Sequence, residues 1–416
     1  ALAERARAGV RVRVLHDWLG CLGQSRARFW QPLRDAGGEV RTYNPFDPLS
    51  PFGWINRDHS KLLTVDGALG FVSGVCVSGA WLGDPARGKE PWRDTGIALR
   101  GPAVADLERA FADTWATLGT PIDPLEAATP RPAGDVALRV IATQPSSTGT
   151  YRMDQLIAAL AHERLWLTDA YFVGAAPYLS ALTNAARDGV DVRLLVPGAS
   201  DIPAVAALSR TGYRALLEAG IRIFEWNGSM LHAKTAVADD RWARVGSTNL
   251  NIASWLGNCE IDVAIENTAF VQQLAGQYES DLGHATEIVL SRRHRARPAT
   301  PPPHHGLRGH GSAGGSAVGA MRMATTLGAA LGNRRVLSNA ETRPLLGGAA
   351  LLLAIAAIAA WWPRVLAWPL AALALWISVS LAVRWARMRR DRRHASRAAA
   401  CDTSRSRLPL PPEDGH

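Results

Sequence analysis

Two short stretches of this 416-residue chain share one spacing. In DHSKLLTVD, His59 and Lys61 are followed by Asp66; in LHAKTAVADD, His232 and Lys234 are followed by Asp239. Only three lysines, Lys61, Lys89 and Lys234, occur among 46 basic residues, so chance coincidences of this pattern should number on the order of hundredths. Arginine has replaced lysine almost everywhere else. A lysine kept against that bias offers what a planar guanidinium does not, a compact point charge for one phosphate oxygen.

The flanks repeat as well, and an internal repeat constrains the fold before propensity does. ARAGVRVRVL (6–15) parallels ARDGVDVRLL (186–195), and LRDAGGEVRTYN (33–44) parallels LLEAGIRIFEWN (216–227). Each predicts a helix end, a glycine stop and a buried parallel strand. FVSGVC (71–76) then falls where RVGSTN (244–249) does. The expected fold class is α/β, with two tandem α/β units related by a pseudo-twofold axis: residues 1–119 and 136–290, joined by a Pro-rich linker at 120–135. The second copy has an earlier strand in ERLWLTDAYF (163–172) and then a helix, whereas the first copy starts inside the equivalent helix. The first unit is therefore expected to be N-terminally incomplete.

Residues 291–344 form a low-complexity linker whose His304, His305 and His310 read as solvated side chains rather than metal ligands. Beyond it, Leu345–Trp362 and Val365–Val383 are apolar runs separated by Pro363 and Arg364. At about 1.5 Å per residue, each is just long enough to cross ~30 Å of hydrocarbon. Trp361, Trp362 and Trp385 at the ends, with arginines beyond, favour an α-helical transmembrane hairpin at 345–383 over a buried core hairpin. Arg334, Arg335 and Arg343 on one flank and Arg384–Arg393 on the other put both flanks in the cytoplasm, leaving 384–416 as a basic, disordered tail.

A formal net charge of +9 points to an anionic partner, either nucleic acid or a phosphate-rich membrane surface. Four cysteines, Cys21, Cys76, Cys259 and Cys401, lie far apart with no C-x-x-C pair, which argues against a zinc site and gives no disulfide framework.

The paired motif has a direct chemical reading. Residues i and i+2 of a strand share a face, so His59 with Lys61, and His232 with Lys234, point together. About a twofold axis, two imidazoles and two ammoniums converge on one phosphate. One His attacks phosphorus and the other protonates the leaving alcohol, while the lysines hold the non-bridging oxygens. This chemistry calls for no metal and no cofactor.

Such a pair of H-x-K-x4-D motifs resembles the phospholipase D superfamily, over residues 1 to about 290. The resemblance implies that Asn249 of GSTN contacts phosphate, with the Ser247 hydroxyl nearby; Cys76 stands at the first-copy position where the family usually has Asn. It also implies that Asp94 in WRDT and Glu260 in NCEID each orient the His of the opposite half, Glu260 serving His59 and Asp94 serving His232, with His59 as nucleophile. Asp66 and Asp239 complete the catalytic motif and are expected to brace its turns rather than touch substrate.

NPF (44–46), RDHSKLLTVDG (57–67), WRDTGIALRGPAV (92–104) and FADTW (111–115) look like bacterial cardiolipin synthases, and the C-terminal hairpin leans toward their B-type branch. That likeness implies phosphatidyl transfer between two phospholipids, phosphatidylglycerol as donor and acceptor with glycerol released. It implies a bacterial inner-membrane location with the catalytic part in the cytoplasm, and no nucleic-acid partner. Two other readings stay open: a phospholipase D-type phosphodiesterase hydrolysing phospholipid or nucleic acid, and a non-catalytic membrane scaffold. Much of the Arg excess gathers after Arg292 beside the apolar runs, where it serves membrane topology, and the intact His, Lys and carboxylate pairs argue against lost chemistry.

Overall fold

A computed structural model describes residues 1–49, 55–122, 131–290, 334–336 and 343–405. His304, His305 and His310, most of the 291–344 linker, part of the 120–135 linker and the last eleven residues of the tail lie outside the described residues. The chain divides into one unit of Ala1–Tyr43 with Asn56–Ala349 and another of Asn44–Ile55 with Ala350–His416.

The first unit opens with helix α1 (Leu2–Arg7), strand β1 (Arg13–Asp17), α2 (Ala27–Arg34) and β2 (Glu39–Tyr43). β1 and β2 pair in parallel. An antiparallel meander follows, β3 (Leu62–Val65), β4 (Leu69–Ser73) and β5 (Gly96–Arg100), with the short α3 (Gly79–Leu82) between its last two strands and α4 (Ala103–Ala116) after it. The chain then runs through β6 (Ala137–Thr143), α5 (Gly149–Leu160), β7 (Arg164–Thr168), α6 (Ala176–Arg187), β8 (Asp191–Pro197), α7 (Pro203–Glu218) and β9 (Arg222–Trp226). A second meander of β10 (Thr235–Ala238), β11 (Trp242–Gly246) and β12 (Glu260–Glu266) leads to α8 (Thr268–Leu282), β13 (Ala285–Val289) and β14 (Arg334–Val336).

The helix, glycine, strand pattern lands where the sequence places it. Gly37 after α2 and Gly220 after α7 have φ of +85° and +95°, a backbone region that glycine enters without steric cost. The later strands form one nine-stranded sheet in the order β14-β13-β9-β8-β7-β10-β11-β12-β6. Its β7, β8 and β9 are parallel and mostly buried, as strands covered on both faces must be. There β7 lies between β8 and β10 and joins the parallel strands to the meander. In the earlier part no described strand takes that position, and β1-β2 and β3-β4-β5 remain separate sheets.

Period-two alternation sorts the core. Leu165 and Leu167 of β7 face Tyr178, Leu182, Tyr213 and Leu216 from α6 and α7, while Trp166 faces Val271 and Tyr278 of α8 on the other side. A third cluster joins the first meander to the second: Val72, Leu99, Val104 and Leu107 pack on Ile261, Val263 and Ile265 of β12. This apolar seam holds the two motif-bearing meanders together.

Helix α9 (Arg343–Trp361), which belongs to the other unit from Ala350 onward, and α10 (Pro363–Arg405) run over the two apolar stretches. Pro363–Val383 is 21 residues long and apolar enough to cross a bilayer; the stretch Ala350–Trp361 is apolar but shorter. Leu352, Leu353, Trp361, Trp368 and Leu375 are exposed along them.

Two local devices set the stability of the later meander. Asp66 and Asp239 occupy the same place at the end of the first strand of their meanders, with φ of +54° and +50°. Asp tolerates this left-handed region better than most side chains. The Asp239 carboxylate also accepts backbone N–H groups of His162, Glu163 and Arg164 at 2.8–3.2 Å, stitching the turn to the start of β7. Beneath the meander, Arg244 is fully buried between Asp154 at 3.2 Å and Asp262 at 3.9 Å. Burial raises the Asp262 carboxyl to about 6 in spite of Arg244.

Asp239→Ala should lower the free energy of unfolding by about 1–3 kcal/mol, through three lost hydrogen bonds to a carboxylate and a strained φ; a denaturation midpoint equal to wild type would deny the turn this role. Arg244→Met should cost about 3–5 kcal/mol, because it strands buried carboxylates without their cation. A carboxyl raised in the folded state costs stability as pH climbs from its ordinary 3.8 through about 6. The loss in Arg244→Met should therefore be largest at pH 7 to 8 and shrink toward pH 5. Equal losses across that range would mean the carboxylates stay charged without Arg244.

Candidate active site

Both motifs leave regular strand structure before reaching their histidines. β3 begins at Leu62 and β10 at Thr235, so His59 with Lys61, and His232 with Lys234, lie in extended segments just ahead of the strands rather than on one strand face. The backbone there pairs with residues distant in sequence. His59 donates its N–H to the Cys259 carbonyl at 2.9 Å, and Cys259 donates to the Arg57 carbonyl at 2.8 Å. His232 donates to the Arg93 carbonyl at 2.7 Å, and Arg93 to the Met230 carbonyl at 2.9 Å. The register is the same in both: each His bonds the residue that immediately precedes a carboxylate.

That register brings His59 Nδ1 to 2.8 Å from Glu260 Oε2 and His232 Nδ1 to 3.0 Å from Asp94 Oδ2. The carboxylate side chains are sealed, Glu260 at 0% and Asp94 at 2% exposure, so water does not compete for their lone pairs. Glu260 Oε2 also accepts the Ser247 hydroxyl at 2.6 Å, and Oε1 accepts Asn258 Nδ2 at 3.2 Å. Asp94 Oδ2 accepts Trp81 Nε1 at 2.8 Å, and Oδ1 accepts the Thr95 N–H at 2.8 Å. An Nδ1–H given to a carboxylate leaves Nε2 as the free nitrogen of each ring. His59 keeps 15% side-chain exposure against 5% for His232, so the His59 ring is the easier one for an incoming group to reach.

The lysines turn back on their own histidines. Lys61 Nζ donates to the His59 carbonyl at 2.6 Å, and Lys234 Nζ donates to the His232 carbonyl. Lys234 Nζ also stands 2.9 and 3.0 Å from the two ring nitrogens of His232. An ammonium equidistant from both nitrogens sits over the ring rather than on either lone pair, so the contact is electrostatic.

The electrostatics follow from burial and crowding. Burial lowers His59 to about 4, with Glu260 opposing and Lys61 and Lys234 assisting. Burial and Lys234 lower His232 to about 3 against the pull of Asp94. Lys234 itself falls to about 7, through burial and then the charge of Lys61, with Asp94 opposing. Burial would raise both carboxyls, but their histidine partners and the lysine charges outweigh it, and Asp94 and Glu260 are held below their ordinary values. Each lysine acts on the histidine of the other motif, which makes the two motifs one electrostatic site. An anion entering it would relieve the mutual repulsion of the cations.

The structure places the remaining sequence-selected residues unevenly. Asn249 is buried, and among the described residues its Oδ1 has no hydrogen-bond partner. Ser247, expected near the phosphate, gives its proton to Glu260 Oε2 at 2.6 Å while its oxygen accepts the Ile261 N–H at 2.9 Å, so it braces the carboxylate. Cys76 turns its thiol to the Gly74 carbonyl at 3.9 Å. Asp66 and Asp239 stay at the turns, a strand's length from the histidines, the place from which the sequence reading expected them to brace the motif.

Several contributors carry no sequence signal. Trp81, Trp92 and Tyr171 surround His232 with ring centroids at 5.1, 5.7 and 5.8 Å. Asp169 accepts the Leu250 N–H at 2.7 Å and Asp262 accepts the Thr248 hydroxyl, together pinning the GSTN segment from beneath. Among the described residues no cluster of His, Cys, Asp and Glu is arranged to hold a metal ion.

Known proteins resemble this chain at both levels. A family model described as a cardiolipin synthase, PLD-like domain matches residues 155–282, which include His232, Lys234, Asn249 and Glu260. A cardiolipin synthase of Alkalihalophilus pseudofirmus is 32% identical over 297 residues, covering 70% of this chain and 59% of that protein. One from Halalkalibacterium halodurans is 34% identical over 310 residues, covering 71% and 60%. Cardiolipin synthase A of Pseudomonas aeruginosa is 33% identical over 300 residues, covering 71% and 61%. The chain thus spans about three fifths of the length of the curated relatives it matches. Among solved structures, a phosphatidylserine synthase of Haemophilus influenzae shares the fold, with a TM-score of 0.51 at 16% identity over 68% of this chain and 77% of that one. With the paired His, Lys and carboxylate groups gathered in one site, these likenesses make the chain a member of the phospholipase D superfamily.

Proposed function

We propose that this chain carries out the cardiolipin synthase reaction, moving a phosphatidyl group from one phosphatidylglycerol to the headgroup hydroxyl of another and releasing glycerol. The observation that carries the reading is the crosswise pairing of His59 with Glu260 and of His232 with Asp94, in one register, around two lysines. It supports two phospholipase D-like units, 1–119 and 136–290, related by a pseudo-twofold axis and joined by the 120–135 linker.

In this reading His59 Nε2 attacks phosphorus while the bond to the glycerol oxygen breaks. Glu260 stabilises the positive charge that develops on the ring, and His232 gives its Nε2 proton to the leaving alcohol. The acceptor hydroxyl then returns a proton to His232 as its oxygen displaces His59 from phosphorus. Lys61, Lys234 and the amide of Asn249 hold the non-bridging oxygens. An imidazole lowered to about 3 is neutral in the empty site. The anionic diester must raise its proton affinity, so His232 becomes an acid only when substrate offsets the lysine charge.

The finer placement belongs to the same proposal. The apolar runs within Leu345–Val383 form a hairpin in a bacterial inner membrane, 291–344 is the tether, 384–416 is a basic tail, and the catalytic half meets the cytoplasmic leaflet. Helix over both runs and exposed Leu and Trp side chains support it.

Membranes carrying the chain, given labelled phosphatidylglycerol, should make cardiolipin and glycerol; phosphatidic acid alone would replace the transferase with a hydrolase. His59→Ala and His232→Ala should each cut turnover by roughly a thousandfold, and the double variant should be little worse, because groups that act as one unit are not additive. Near-normal activity in either single variant would sink the shared site. Deleting 345–383 should release much of the protein from washed membranes and reduce activity on bilayers more than on detergent-dispersed lipid. Retention of the deleted form on washed membranes would place the anchor elsewhere.

A further inference from the structure

The two carboxylates that orient the histidines are braced by different donors. Glu260 Oε2 receives the Ser247 hydroxyl at 2.6 Å. In the repeat alignment of RVGSTN with FVSGVC, Gly74 stands at the position of Ser247 and has no hydroxyl to give. Nor can one be placed there: a Cβ on Gly74 would lie 2.2 Å from Asp94 Oδ1, so this glycine makes room for the carboxylate itself. The matching bond comes from another direction. Trp81, on the short helix α3, donates its indole N–H to Asp94 Oδ2 at 2.8 Å, the same oxygen that faces His232 Nδ1 at 3.0 Å.

We propose that Trp81 is a positioning residue that does for Asp94 and His232 what Ser247 does for Glu260 and His59, holding the carboxylate ionised and its oxygen aimed at Nδ1. The inference rests on the catalytic reading above. An indole N–H can only donate, whereas a hydroxyl can donate or accept. Trp81 therefore bonds the ionised carboxylate more strongly than the neutral acid and cannot accept a proton from Asp94. It occupies one lone-pair direction of Oδ2 and leaves the other for the imidazole N–H, which fixes His232 with Nε2 free for the alcohol. The ring adds a steric stop, standing edge-on to His232 at 5.1 Å and backed by Trp92 at 4.7 Å. No group moves a proton through Trp81. Its effect on the reaction passes entirely through Asp94.

That route can be tested on the full chain with bis(p-nitrophenyl) phosphate, a diester that needs no lipid headgroup recognition. Trp81→Phe keeps the aromatic stop and removes only the donor. It should lower kcat by roughly tenfold to a hundredfold with KM within about twofold, and should move the limb of the pH profile that belongs to His232. In an Asp94→Asn background, Trp81→Phe should add little further loss, since the interaction it removes is already gone. Wild-type kcat and pH profile in Trp81→Phe would overturn the proposal, as would a full, additive loss on top of Asp94→Asn. A wild-type chain that turns over the diester yet makes no cardiolipin from phosphatidylglycerol would remove the proposed reaction and leave the Trp81 comparison standing.

Discussion

Everything in the site depends on two short backbone bridges, His59 to Cys259 and His232 to Arg93. Each spends the motif's main-chain hydrogen bonds on a segment far away in sequence, and each delivers a carboxylate one residue later. A slip of one residue would turn the acid to the opposite face, because side chains alternate along extended backbone. The bridges in turn depend on the apolar seam between the meanders, where Val72, Leu99 and Leu107 meet Ile261 and Val263. Neither motif can assemble its own His and carboxylate pair without the other's half.

Charge inside this frame is handled by enclosure rather than by exposed ion pairs. Glu260 and Asp94 stay ionised in spite of burial because each has an imidazole, a further donor and a lysine field around it. Lys234 and the two histidines stand close together with their proton affinities depressed, a combination that costs stability until an anion arrives. Below them Asp169 and Asp262 fasten the GSTN segment, and Arg244 offsets their charge from a fully buried position. Rigid support under a crowded cationic pocket suits chemistry in which a phosphate must be gripped without rearrangement.

The two halves are close to equivalent in backbone register and unequal in side-chain detail. Asn249 faces Cys76 in the repeat, Ser247 faces Gly74, and the sheet that is continuous around β7 is divided in the earlier half. The asymmetry gives the two histidines different surroundings: His59 is the more exposed, while His232 lies among Trp81, Trp92 and Tyr171. Under the proposed reaction this separates a ring that must reach phosphorus from one that must guard a proton.

Much of this was legible in the sequence for a physical reason: helix stops at glycine, buried parallel strands and repeated spacing are local, periodic signals. The helices and strands on either side of Gly37 and Gly220 could be read from those signals, whereas the pairing of Glu260 with His59 and Asp94 with His232 came only from the resemblance to the phospholipase D superfamily. What the sequence could not decide was where hydrogen bonds go once two distant segments meet. Ser247 looked like a phosphate contact and is committed to Glu260; His59 and His232 looked like strand residues and lie ahead of the strands; Trp81 carried no signal and bonds Asp94. A donor's partner depends on distance and direction in space, and only tertiary packing sets those for residues tens to hundreds of positions apart.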